Sequence, residues 1–209
     1  MLKKIVASLV FLLAIGLAGT GMAATEPAGA LDDINRAIDE ADSKAFQQLV
    51  DIDGILADSL NAFLRELKNP ETASKLPPLL ALMFSQAAAQ SEGGETLRGL
   101  LRSEARNFVL NGIESGAFAG RKPIVANSQN LFGPIFSAAS PGRKAVIRKG
   151  KPTKSGNMWL MPFTVHDYGN ERDYNVKGRF TRQNDGTVRL TGIENIPALL
   201  AQIGAENAE

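Results

Sequence analysis

The chain has 209 residues, one histidine, no cysteine and a formal net charge of +1, which excludes disulfides, thiolate chemistry and any cluster of His and Cys metal ligands within one chain. The charge is unevenly divided: Ala24 to Gly120 carries 15 acidic and 8 basic residues, and Arg121 to the end carries 7 acidic and 13 basic. Such a split points to two structurally different halves, whose surfaces are oppositely solvated, attract each other, or offer a basic face to an anionic partner.

Lys3 and Lys4 precede an apolar run from Ile5 to Ala18, and Gly21-Met22-Ala23-Ala24 follows with small residues. Basic head, apolar core and small-residue site together read as a secretory signal peptide, residues 1–23, with cleavage after Ala23. The run is too short for a comfortable membrane span, which needs about 20 residues, and no later segment comes closer. The expectation is an exported chain, periplasmic or extracellular, with no transmembrane span and no cysteine for a lipid anchor.

Residues 24–30 read as a short polar leader, and 31–204 as one domain. Leu31, Ile34, Ile38 and Ala41 recur at helical spacing, with Asp32 and Asp33 expected in the first turn, where the helix dipole favours acids. Asp42-Ser43 caps a second short helix carrying Phe46, Leu49 and Val50. Ile52, Ile55, Leu56, Leu60, Phe63, Leu64 and Leu67 form the next stripe, stopped by Asn69-Pro70. Pro77-Pro78 opens a third apolar segment, Leu79 to Ala89. Gly93-Gly94 is read as a break, and Thr96 as the start of a long helix through Leu97, Leu101, Ala105, Val109 and Ile113, ending near Gly116 and Gly120.

The period then changes. Residues 121–143, with Pro123, Gly133, Pro134 and Pro141, read as an irregular connector. Beyond it Trp159, Met161, Phe163 and Val165 alternate with Leu160, Pro162, Thr164 and His166, and Tyr174, Val176, Gly178 and Phe180 alternate with polar residues. That is the pattern of half-buried strands, with Trp159 on the buried face. Asn184-Asp185-Gly186 signals a hairpin, Val188, Leu190 and Ile193 a further strand, and Ala145 to Lys149 another. Asn195 is placed to cap a last helix from Ile196 to Ile203, ending at Gly204. The fold class expected is α+β: N-terminal helices packed on a C-terminal antiparallel meander of about four strands.

Candidate chemistry is sparse. His166 adjoins Asp167, and such a pair can orient a general base, but no nucleophile motif accompanies it and a solvent-facing strand-end histidine is the simpler reading. Asp51, Asp53 and Asp58 match only a fragment of a calcium loop and read as helix-start charges. The segment from Lys149 to Gly156 fails the phosphate-loop pattern. Together with Arg143, Lys144 and Arg148, its Lys149, Lys151 and Lys154 make the densest cationic stretch, suited to an anionic lipid, phosphate or envelope polymer, or to a plain solvated rim. It lacks the interleaved aromatics of nucleic-acid platforms, so nucleic acid is not an expected partner. Leu131, Phe132, Ile135 and Phe136 form an apolar group in the connector, either the wall of a pocket between the halves or a plug that seals helices on sheet.

Helices leading into a curved antiparallel sheet resemble the cystatin-like α+β architecture. The segment from Leu31 to Asp51, LDDINRAIDEADSKAFQQLVD, and the terminal Asp185-Gly186-Thr187-Val188-Arg189-Leu190-Thr191-Gly192-Ile193 are similar to the opening and last strand of a family of exported bacterial domains of unknown function. The resemblance implies an exported domain with no catalytic residue to assign. A weaker likeness is to periplasmic carriers of phospholipid. The expected function is a non-catalytic binding or interaction module of the cell envelope, without cofactor or metal. The alternative is a carrier of a lipid or another apolar ligand held between helices and sheet. The partner expected in either case is an apolar small molecule, a lipid or an envelope protein.

Overall fold

A computed structural model describes residues 24–68, 78–88, 92–121 and 142–206. It shows an α+β chain. Five described helices precede the sheet: α1 (Pro27–Asp39), α2 (Ser43–Leu49), α3 (Ile52–Glu66), α4 (Pro78–Ala88) and α5 (Glu92–Glu114). The strands are β1 (Lys144–Lys149), β2 (Thr153–Ser155), β3 (Met158–Asp167), β4 (Arg172–Arg182) and β5 (Val188–Ile193), and α6 (Ile196–Glu206) follows them. All strand pairs are antiparallel, in the order β1-β3-β4-β5, with the short β2 also paired to β3.

The two-residue period puts Trp159, Met161, Phe163 and Val165 of β3 beside Tyr174, Val176 and Phe180 of β4 on one buried face. That face shares a single hydrophobic core with Leu31, Ile34 and Ile38 of α1, Phe46 of α2, Ile55, Leu56 and Phe63 of α3, and Leu199 and Ile203 of α6. The opposite face, with Leu160, Pro162, Asn175 and Lys177, is exposed.

Several local expectations are corrected by the backbone. α1 begins at Pro27, not Leu31, because proline is pre-set for a first helical turn. Asp32 and Asp33 therefore fall beyond that turn and pair with Lys149 and Arg36 instead. Gly93-Gly94 does not break the chain: α5 starts at Glu92 and runs through both, at an end where the N–H groups lack helical partners anyway. α3 ends at Glu66, before Asn69. α6 continues past Gly204 to Glu206. The cap at Asp42 forms as expected, accepting from the N–H groups of Lys44 and Ala45; of the three acids read as helix-start charges, Asp51 caps α3 by accepting from Gly54 N–H and Asp53 lies in its first turn, but Asp58 falls inside the helix.

Asn195 takes a different role. β5 pairs with β4 only from Gly178 to Arg182, which leaves the first half of that edge without a strand. The Asn195 side chain accepts from Lys177 N–H at 2.8 Å and donates to Asn175 C=O at 2.8 Å, while Gln202 donates to Asp173 C=O at 2.9 Å. Two amide side chains thus stand in for the missing strand and satisfy groups that an open edge would offer to another chain.

The division of charge has a direct structural meaning. Lys149 pairs with Asp32, Arg143 with Asp39 (3.8 Å), Arg179 with Asp58 (3.8 Å), Arg182 with Glu26 (4.0 Å) and Arg189 with Asp51 (3.9 Å). Each joins a base of the sheet layer to an acid of the helical layer. Such part-exposed pairs contribute at most about 1 kcal/mol each, so they orient the layers while the apolar core supplies most of the stability.

Candidate functional site

The six basic residues expected to form one anion-contact patch are dispersed. Lys144 is the clear correction: its side chain is 2 % exposed and its Nζ lies 2.6 Å from Asp167 Oδ1, itself fully buried. The alternation that turns Val146 and Val165 inward turns Lys144 and Asp167 inward with them, directly opposite in register. Burial pulls the Lys144 ammonium below its ordinary 10.5, against the opposing effect of Asp167. Arg143 and Lys149 are engaged by Asp39 and Asp32. Lys154 sits over the Trp159 ring, 5.2 Å from its centroid, with Arg182 at 5.3 Å from the same centroid. Arg148 and Lys151 are exposed. Leu131, Phe132, Ile135 and Phe136 lie outside the described residues.

His166 turns to the opposite face from its neighbour Asp167. Its Nδ1 lies 2.7 Å from Asp173 across the β3–β4 pair, its Nε2 3.4 Å from Glu171, and its ring meets Tyr168 edge-on at 4.4 Å. The Asp173 hydrogen bond, helped by the charges of Asp173 and Glu171, raises the imidazole pKa above its ordinary 6.5. A base with a raised folded pKa stabilises the fold fully below its unfolded pKa and loses that contribution as pH rises through the folded value. The melting-temperature difference between wild type and His166→Gln is therefore expected to be largest at about pH 5–6, below the ordinary imidazole value and above the ordinary carboxylate range, and to vanish at alkaline pH. A difference independent of pH would contradict this. Among the described residues no group of three His, Asp or Glu side chains is placed to hold a metal ion.

Among the described residues, two adjoining hollows lie elsewhere, between α3 and α5. Ala57, Asn61, Arg65 and Lys68 follow one another at helical spacing along one stripe of α3 and its end, and Glu95, Arg98, Arg102 and Arg106 do so on α5. The stripes face each other in antiparallel order. At one end they are closed by Arg106, which pairs with Asp53 at 3.2 Å and donates to Gln47. Towards the other end α3 closes on Glu66, which is not part of the hollow's lining. A cleft of about 300 Å³ opens there, lined by Asn61, Leu64, Arg65, Lys68, Ala88 and Arg98. It adjoins a smaller hollow of about 130 Å³ that reaches Ala57, Leu60 and Arg102.

Arg98 is already committed. It pairs with Glu95 at 2.6 Å and donates to the Ala87 and Ala88 carbonyls, where it stabilises the negative end of α4. The side chains of Arg65, Lys68 and Arg102 have no hydrogen-bond or ion-pair partner among the described residues. Arg65 and Lys68 thus line the larger hollow beside Leu64, and Arg102 the smaller one beside Leu60 and the acid Glu95, with Asn61 and Arg98 shared by both. Like charges facing across a gap repel, and an anion between them would relieve that. The composition does not reveal this cluster, because it lies in the acidic half. The i, i+4, i+8 spacing of Arg98, Arg102 and Arg106 is the sequence signal that would have found its α5 side.

Comparison with known proteins returns no matching family model, no matching curated protein and no matching solved structure.

Proposed function

We propose that this protein is a non-catalytic binding module of the cell envelope that takes a small anionic ligand in the cleft between α3 and α5. The observation that carries the reading is the set Arg65, Lys68 and Arg102, exposed cations at two adjoining hollows, whereas five bases of the sheet layer are matched to acids of the helical layer. Leu64 and Leu60, one in the lining of each hollow, suit a ligand that joins a carboxylate or phosphate head to a short hydrocarbon portion. The volume, about 300 Å³, is at the small end for ligand pockets. The export reading rests on the basic head, apolar run and small residues of positions 1–24, and the resemblance of Leu31–Asp51 to exported bacterial domains supports it.

Calorimetric titration of the protein with inorganic phosphate and with decanoate tests the proposal. Binding of at least one is expected, weakened at least fivefold by Arg65→Gln with Arg102→Gln and reduced by added salt. Both side chains are exposed, so the double variant is expected to melt within a few degrees of wild type. Absence of binding by both probes, or equal binding by the variant, would reject the cleft as the site.

A further inference from the structure

The segment between the proposed cleavage point and α1 is held more firmly than a leader should be. Ala24 N donates to Asp33 Oδ2 at 3.0 Å, and Asp33 is buried, with 7 % of its surface exposed. Ala24 C=O accepts from Val188 N–H of β5 at 3.1 Å. Thr25 C=O accepts from Arg182 at 2.9 Å. The Ala24 methyl lies against Gly29, where any side chain would clash: a Cβ there would stand 2.8 Å from that of Ala24. The residue just past the small-residue site is thus fitted into the domain, with its nitrogen aimed at a nearly buried carboxylate.

We propose that the Ala23–Ala24 bond is a processing site and that the α-ammonium it releases forms an ion pair with Asp33. In the step, a peptidase of the signal-cleaving type adds water across the bond. Ala23 leaves as a carboxylate, and the Ala24 nitrogen takes up a proton. A neutral N–H donor becomes an ammonium, and hydrogen bonds with an ionised donor and acceptor are roughly twice as strong as neutral ones. Asp33 also accepts from Arg36 at 2.6 Å on its other oxygen, so it is oriented before the new charge arrives. Cleavage would in this way reinforce the joint between the chain start, α1 and β5.

The test uses the full-length chain produced in exporting bacteria. N-terminal sequencing of the exported protein is expected to begin at Ala24; an uncut chain or a different start overturns the processing site. The rate of acylation of the α-amino group is then followed against pH. In a free peptide with the sequence of residues 24–28 the midpoint is expected at about 7.7–8.0. In the folded protein it is expected at least one unit higher, and Asp33→Asn is expected to bring it back. A midpoint equal to the peptide's overturns the ion pair. The wild-type comparison stands by itself if Asp33→Asn fails to fold.

Discussion

Lys144→Ala is expected to destabilise the protein by about 3–5 kcal/mol, the usual result of leaving one half of a buried ion pair without its counter-charge. For a chain of this size that corresponds to a fall in melting temperature of roughly 6–20 °C. Asp167 is fully buried and meets both the Lys144 ammonium and the Gly169 N–H at 2.9 Å. Removing the ammonium strands the carboxylate in a medium that cannot solvate it. Lys144→Met with Asp167→Asn is expected to recover most of the loss, because the amide keeps the Gly169 hydrogen bond and no charge remains buried. Thermal melts of the two variants and the wild type check this. A single variant as stable as wild type, or a double variant worse than Lys144→Ala, would show that the pair is not acting as a buried pair.

Phe180→Ala is expected to cost about 3–5 kcal/mol, as truncation of a fully buried aromatic does. Phe180 is 0 % exposed, lies opposite Trp159 on β3 and meets the Phe163 ring at 6.4 Å in an edge-on contact. Both rings lean over Gly178, where a Cβ would stand 2.8 Å from each. That position therefore stays glycine, and nothing on the same strand can swell into the gap left by the ring. Gly178→Ala is expected to destabilise the wild type and to be milder in the Phe180→Ala background, where the contact with that ring is gone. Denaturant melts of the four proteins measure this coupling. Strict additivity would contradict the packing described.

The architecture was legible because apolar periodicity carries it. The change from helical spacing before Gly120 to alternation around Trp159 and Tyr174 marks the boundary between the two kinds of layer. The cap at Asp42 was readable for the same reason: a short acceptor side chain ahead of an apolar stripe satisfies free N–H groups. What periodicity does not carry is partnership. Lys144 and Arg148 look alike in a basic stretch, yet strand register buries the first against Asp167 and leaves the second exposed. Asn195 has the residue type of a helix cap, and its side chain serves a strand edge that only the shortness of β5 creates. The excess of acids in one half and bases in the other became interpretable once Asp32, Asp39, Asp51 and Asp58 were seen to face Lys149, Arg143, Arg189 and Arg179. The cleft cations were hidden by the same average, since Arg65, Lys68 and Arg102 are a minority in an acidic half and come together only through the antiparallel approach of α3 and α5.

Native mass spectrometry of the protein recovered from its own cells at low salt tests the binding proposal most directly. The account predicts a co-purifying small anionic molecule on the wild type, lost from the Arg65→Gln, Arg102→Gln variant and displaced by phosphate or decanoate. A neutral ligand, or an anionic one that the double variant retains in full, would contradict it.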